Sequence, residues 1–207
     1  MLRTTSLIGF GSGFFLAGGY NFVQSSESEW SGDEGTLSHY TFNGANIEGG
    51  AGTPVISNNG IRSDDTFAGD MAFDLTWAAD LPDSQGACGV FNNAEPTASW
   101  SGTRLDGNMI NMGTNNAFWW QATSSTNLKV YSGGTLDGTV DMPDVGDVMR
   151  IKRASQVWTL EYDTGGDGNF SVIQTFSGTN STATFRLHVC MYTTGDVINS
   201  VQWGNAN

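Results

Sequence analysis

At 207 residues, with seven Trp, twelve Phe and 28 Gly against 4 Pro, the chain is long enough for one large β-rich domain and too aromatic to remain disordered. Its 21 acidic residues against 8 basic ones give a net charge of −13, which repels a phosphate backbone and an anionic lipid surface alike, so nucleic acid and membrane are excluded as partners. Two Cys and two His, scattered along the chain without the paired spacing of zinc ligands, exclude a structural zinc site.

In chain order, the first stretch carries Leu7, Ile8, Phe10, Phe14 and Phe15 among Gly9, Gly11, Ser12 and Gly13. It imitates the apolar region of a secretory signal but is broken by Gly and Ser, and no small-x-small site followed by a clear change of composition appears, so the expectation is an extended arm packing on its own domain or on a neighbouring subunit. It is too short to span a membrane. A polar link follows, making residues 1–35 arm and link and 36–207 a single domain. Short strands are predicted at 37–42, around Ile47, at 53–57 and at 61–62, then a strong one at 71–77. Further strands are predicted at 87–91, 98–105, 109–112, 118–122 and 128–131, and a Gly-rich loop at 133–138 leads to Val148. The last third reads as a meander of four strands over 148–153, 157–162, 170–176 and 185–192, with a final strand at 197–203. Apolar and polar residues alternate at period two in most of these runs, and Gly, Asp, Asn, Ser and Thr close them. Phe185, Leu187, Val189 and Met191 share one face of their strand, Arg186, His188, Cys190 and Tyr192 the other. No window shows helical periodicity, and a strand with one dry face must lie against a second layer. The fold expected is all-β: an antiparallel two-sheet β-sandwich with an extended N-terminal arm. Cys88 and Cys190 sit in apolar strand-like runs and read as two small packed thiols in preference to a bridge.

The segments Gly69–Thr76, Gly86–Phe91, Val145–Arg153, Val157–Asp163 and Gly168-Asn169-Phe170 together resemble the concanavalin A-like lectin/glucanase superfamily, including its laminin G-like members, over about two-thirds of the chain. That resemblance implies a jelly roll. The Gly/Phe-rich arm, Ser6 to Gly13, is similar to the starts of some tailed-phage virion proteins, which implies a capsid decoration or tail appendage.

Glucanases of that superfamily carry Glu-x-Asp-x-x-Glu or Glu-x-Asp-x-Glu on one strand. Here Glu161-Tyr162-Asp163 lacks the third Glu and Asp163 opens a turn, so a solvated hairpin end is expected and not an enzyme. No cofactor is expected; a weak Ca²⁺ candidate is Asp163, Asp167 and Asn169, although such turns need no metal. Sugar binding uses aromatic faces with amides that fix hydroxyls. The candidates are Trp100, Trp119 and Trp120 with Asn92, Asn93 and Asn115; adjacent Trp119 and Trp120 must point to opposite faces of a strand. The reading is therefore a non-catalytic structural module whose partners are other subunits of an assembly, a homo-oligomer included, with a glycan-binding, lectin-like adhesion module as the alternative and a glycoside hydrolase a distant third. The location expected is virion or extracellular, not membrane-embedded.

Overall fold

Strand residues send alternate side chains to opposite faces, so Met71, Phe73, Leu75 and Trp77 line one face of their strand and bury it completely. The same logic repeats along the chain. The computed structural model is described over residues 20, 22–24, 26–32, 40–49, 60–77, 86–94, 113–122, 126–179, 183–191 and 197–206. Its strands are β1 (Val23–Gln24), β2 (Trp30–Gly32), β3 (Tyr40–Asn43), β4 (Asn46–Gly49), β5 (Gly60–Ser63), β6 (Met71–Trp77), β7 (Ala87–Asn92), β8 (Ala117–Ala122), β9 (Asn127–Ser132), β10 (Thr135–Asp141), β11 (Val148–Ala154), β12 (Val157–Asp163), β13 (Phe170–Thr179), β14 (Phe185–Cys190) and β15 (Val197–Asn205). They form two antiparallel sheets, as expected for a jelly-roll sandwich. The first runs β13-β12-β11-β6-β15-β4-β3, with β1 also on β15; the second runs β10-β9-β8-β7-β14-β5-β2.

Aromatic pairs stitch the two inner faces together. Trp158 of the first sheet stacks on Phe118 of the second at 4.4 Å, Trp77 meets Trp120 at 5.5 Å, and Trp203 meets Trp30 edge-on at 5.6 Å. Each such pair adds about 0.5–1.5 kcal/mol beyond the area it buries. The tight turn between β11 and β12 has positive φ at both Ser155 (48°) and Gln156 (76°), the geometry that matches the twist of the flanking strands. The Ser155 N–H is held by the Asp70 carboxylate at 2.8 Å.

Three details differ from the sequence expectation. The fourth strand of the expected meander, β14, leaves β13 and lies between β7 and β5 in the second sheet. Its residues are buried on both faces, Leu187 and Val189 on one and His188 on the other, so it belongs in the middle of a sheet. The expected loop at 133–138 is instead the start of β10, which pairs with β9 through the Gly133-Gly134 turn. The expected link contributes β1 and β2 to the sheets, and Trp30 is buried against Trp203. The strands expected at 53–57, 98–105 and 109–112, and the arm with Leu7, Ile8, Phe10, Phe14 and Phe15, lie outside the described residues. Cys88 and Cys190 are free thiols. Register pairs Cys88 with Val189 and Cys190 with Ala87, so the two thiols point to opposite faces of the sheet and cannot bridge.

Candidate functional site

Of the three expected sugar platforms, Trp119 and Trp120 are buried. Trp120 faces the core against Trp77, and Trp119 lies on the opposite face, as the alternation requires. Trp119 stacks on Tyr131 at 4.4 Å and donates its indole N–H to the Gly133 carbonyl at 3.0 Å. Neither ring offers a face to a ligand. Trp100 lies outside the described residues. The amides do structural work at one end of the second sheet. The Asn92 amide donates to Asn116, Asn93 accepts from the Arg186 guanidinium, and Asn115 accepts from the Thr179 N–H at 2.8 Å.

The Asp163 turn is satisfied from within. Its two carboxylate oxygens accept the N–H groups of Asp167 and Gly168, and Asp167 accepts both the backbone and side-chain N–H of Asn169. Asp163 is itself fully buried, and those Asn169 bonds, chiefly, hold the Asp167 carboxyl below its ordinary value. Among the described residues no group of three or more His, Cys, Asp or Glu is placed to hold a metal ion.

A polar row that the sequence reading did not single out crosses the outer face of the first sheet. Register aligns Val172, Glu161, Arg150, Asp74 and Gln202 on neighbouring strands. Arg150 grips Asp74 with two bonds of 2.7 and 2.8 Å, and the Phe170 ring covers the guanidinium at 3.6 Å, with Tyr20 and Phe22 beside it. Glu161 receives Lys152 and Thr159 on one oxygen; the other is buried without a hydrogen bond. Asp74 is 1% exposed, Glu161 3% and Arg150 4%, so this face is closed by its aromatic cover. Burial, above all, raises the Asp74 carboxyl from its ordinary value, with Arg150 pulling it back. The traces of this row in the sequence are Asp74, the one charged residue in the run 71–77, and Glu161 of the Glu-x-Asp run.

The open site lies elsewhere. β10 and β13 each end their sheet, and beside them is a cleft of about 420 Å³ lined by Thr139, Val140, Asp141, Met142, Pro143, Asp144, Asp147, Tyr162, Thr164 and Ile173. Asp147 is fixed: one oxygen accepts the Gly165 N–H at 2.8 Å, the other the Asp144 N–H at 3.0 Å. The Tyr162 hydroxyl donates to the Asp141 carbonyl at 3.0 Å, and burial, followed by the charges of Asp141 and Asp147, pushes its pKa far up. Tyr162 therefore stays a neutral phenol. Thr139, Asp141, Asp144 and Thr164 are exposed, and Val172 and Ile173 show 57% and 39% of their surface on the neighbouring strand. A ligand entering here meets carboxylates and hydroxyls at the rim and methyl groups behind them, and no Lys, Arg or His among the lining residues.

No protein-family model and no curated protein matches the chain. Solved structures do. A lectin, UEA-II in complex with galactose, superposes with a TM-score of 0.54 at 9% identity, over 90% of this chain and 93% of the lectin. A prokaryotic β-1,3-1,4-glucanase (lichenase) derived from a mouse hindgut metagenome gives 0.53 at 8%, over 91% and 99%. The carbohydrate recognition domain of Emp46p, in its potassium-bound form, gives 0.53 at 11%, over 87% and 90%. At such identities the likeness is one of fold: the chain has the concanavalin A-like architecture shared by lectins and glucanases.

Proposed function

We propose that this chain is a non-catalytic carbohydrate-binding module that lodges a saccharide in the cleft beside β10 and β13. The observation that carries the reading is the cleft's lining. Asp144 and Thr164 are exposed and can meet sugar hydroxyls, and Ile173, with the partly buried Val140 and Met142, offers an apolar surface for the C–H face of a ring. Proteins of this fold include one crystallised with galactose and a carbohydrate recognition domain, which agrees with the reading. The non-catalytic half rests on the state of the other carboxylates. Asp74 and Glu161 are ion-paired under aromatic rings, and Asp163 is spent on its own turn, so none is free to act as nucleophile or acid.

A glycan array followed by calorimetry tests the first half. Retention of a saccharide that weakens at least about tenfold in Asp144→Asn/Thr164→Val supports the cleft; failure to retain any saccharide overturns it. Incubation with β-glucans tests the second half: release of reducing ends that disappears in Glu161→Gln would make the chain a hydrolase. A second reading, a structural component of a larger assembly such as a virion decoration or tail appendage, is favoured by the exposed aliphatics Leu136, Val145, Val157, Val172 and Ile173. Sedimentation of the purified chain checks it, since a subunit surface of that kind should give concentration-dependent association.

A further inference from the structure

We infer that the segment carrying Tyr20, Phe22 and β1 is a strap that opens without unfolding the sandwich, and that its opening admits solvent and solutes to the row of Glu161, Arg150, Asp74 and Gln202. This strap lies on the outer face of the first sheet and needs nothing bound in the cleft. Its hold on the sheet is slight. β1 is two residues long and meets β15 only where Val23 lies opposite Trp203 and Gln24 opposite Gln202, and an isolated bridge joins Tyr20 to Ala206. The rest is aromatic. The Tyr20 and Phe22 rings lie 5.9 Å apart, at 5.8 and 5.3 Å from the Arg150 guanidinium, and both residues stay partly exposed. Beneath them the sheet is low. Trp203 faces the core, so its neighbour Gly204 faces out, and the β1 register sets Phe22 opposite Gly204. Gly204 pairs with Ala72, and both are buried on this outer face although neither has a side chain of any height. The pair is the hollow that seats the ring.

Closure gains one kind of interaction and loses another. Glu161 is buried with one oxygen on Lys152 and Thr159 and the other without a hydrogen bond, an acceptor that water would satisfy with the cover off. The Tyr20 phenol senses the same row: burial raises its pKa, Arg150 opposes this, and Asp70, Glu161 and Asp74 add to it. Closing therefore gains ring contacts and cation–π attraction at a partly exposed site, and loses hydration of a carboxylate, a contribution of similar size and opposite sign. A segment so balanced, tied by so few backbone pairs, opens by itself while the sheet beneath stays folded. Phe170, which covers the guanidinium at 3.6 Å, belongs to β13 and remains, so Asp74–Arg150 keeps part of its shelter when the strap leaves.

The test is carboxyl labelling of the full chain with a water-soluble carbodiimide and an amine, read residue by residue by mass spectrometry. Glu161 reports opening, as the amide adduct or as the zero-length cross-link to the Lys152 amine 2.8 Å away. Asp163, fully buried at the end of β12, reports unfolding of the sandwich. In the parent, Glu161 should be modified at least about tenfold faster than Asp163, at a rate that stays flat over the first additions of urea. Tyr20→Ala/Phe22→Ala should raise the Glu161 rate by about a further tenfold and leave Asp163 unchanged. Gln24→Cys/Gln202→Cys, which joins register partners at cross-strand spacing, should slow Glu161 when oxidised and restore it on reduction. Modification of Glu161 only in step with Asp163, at a rate that climbs from the first addition of urea, overturns the strap. So does a Glu161 rate unmoved by both variants. If the double-alanine chain does not fold, the parent's urea series and the cross-linked variant decide by themselves.

Discussion

On the first sheet's outer face Arg150 joins Asp74 to the rings of Phe170, Tyr20 and Phe22. Truncating it as Arg150→Met keeps length and apolar packing but strands a buried carboxylate. Breaking such a pair costs about 3–5 kcal/mol. The loss should depend on pH. A carboxyl whose pKa is raised by burial holds its proton more tightly in the native state, so it favours the fold below its ordinary range and loses that contribution as pH climbs through its native value. Without Arg150 that value rises further, so urea melts should show the deficit in full near neutrality and shrinking towards about pH 4. Equal deficits at both pH values would mean that Asp74 is not the charge Arg150 serves. His188 gives the opposite slope. It is buried with its ring edge-on to Phe91 at 5.3 Å, and burial, then the charge of Arg62, lowers its pKa well below the ordinary value. A depressed base contributes stability above its ordinary value of about 6.5 and loses it as pH falls towards the native one. The parent should therefore weaken between pH 7 and about pH 5, and His188→Asn should flatten that part of the curve.

At the scale of the element, β13 is the strand that ties the sandwich's open side. It pairs with β12 from Phe170 to Thr179, and at its far end the Gly178 N–H also donates to the Ser132 hydroxyl at 3.1 Å and the Thr179 N–H to Asn115. A Cβ at Gly178 would collide with the backbone oxygen of Thr114 and crowd the Phe118 ring at 2.9 Å. Since one clash is with backbone, Gly178→Ala should cost about 1–3 kcal/mol and lower the melting temperature by several degrees, whereas Gly138→Ala, whose nearest neighbour is the flexible end of Gln174, should cost less. A thermal melt of both variants separates the cases. The strands with a dry face, such as β6, β11 and β12, were legible in the sequence because alternation fixes which side chains share a face. It does not fix which strand lies next door, so the move of β14 to the other sheet was invisible. β10 was missed because an edge strand written Thr-Leu-Asp-Gly-Thr-Val-Asp has no dry face to announce it. The Asp74–Arg150 couple joins positions 76 apart, and the cleft draws on β10, β12, β13 and the loops beside them. No local motif marks either. The Trp119-Trp120 pair was legible as alternation, but whether the outward ring was open or covered depended on tertiary packing.

For the whole molecule, the net charge sets the response to salt. With 21 acidic residues and 8 basic ones, the folded chain compresses like charges that the unfolded chain holds further apart. Among the described residues the pairs that offset them are shielded: Asp74–Arg150 is buried, and Lys152–Glu161 is mostly so. Added NaCl screens long-range repulsion between surface carboxylates over a Debye length of about 8 Å at physiological strength, while it reaches a buried pair much less. The melting temperature should therefore rise as NaCl goes from about 0.01 M to about 0.15 M, where the Debye length falls from about 30 Å, and change little beyond. Calorimetric melts over those salt concentrations read the slope. A melting temperature that falls with salt would mean that attractive surface pairs outweigh the net charge of −13.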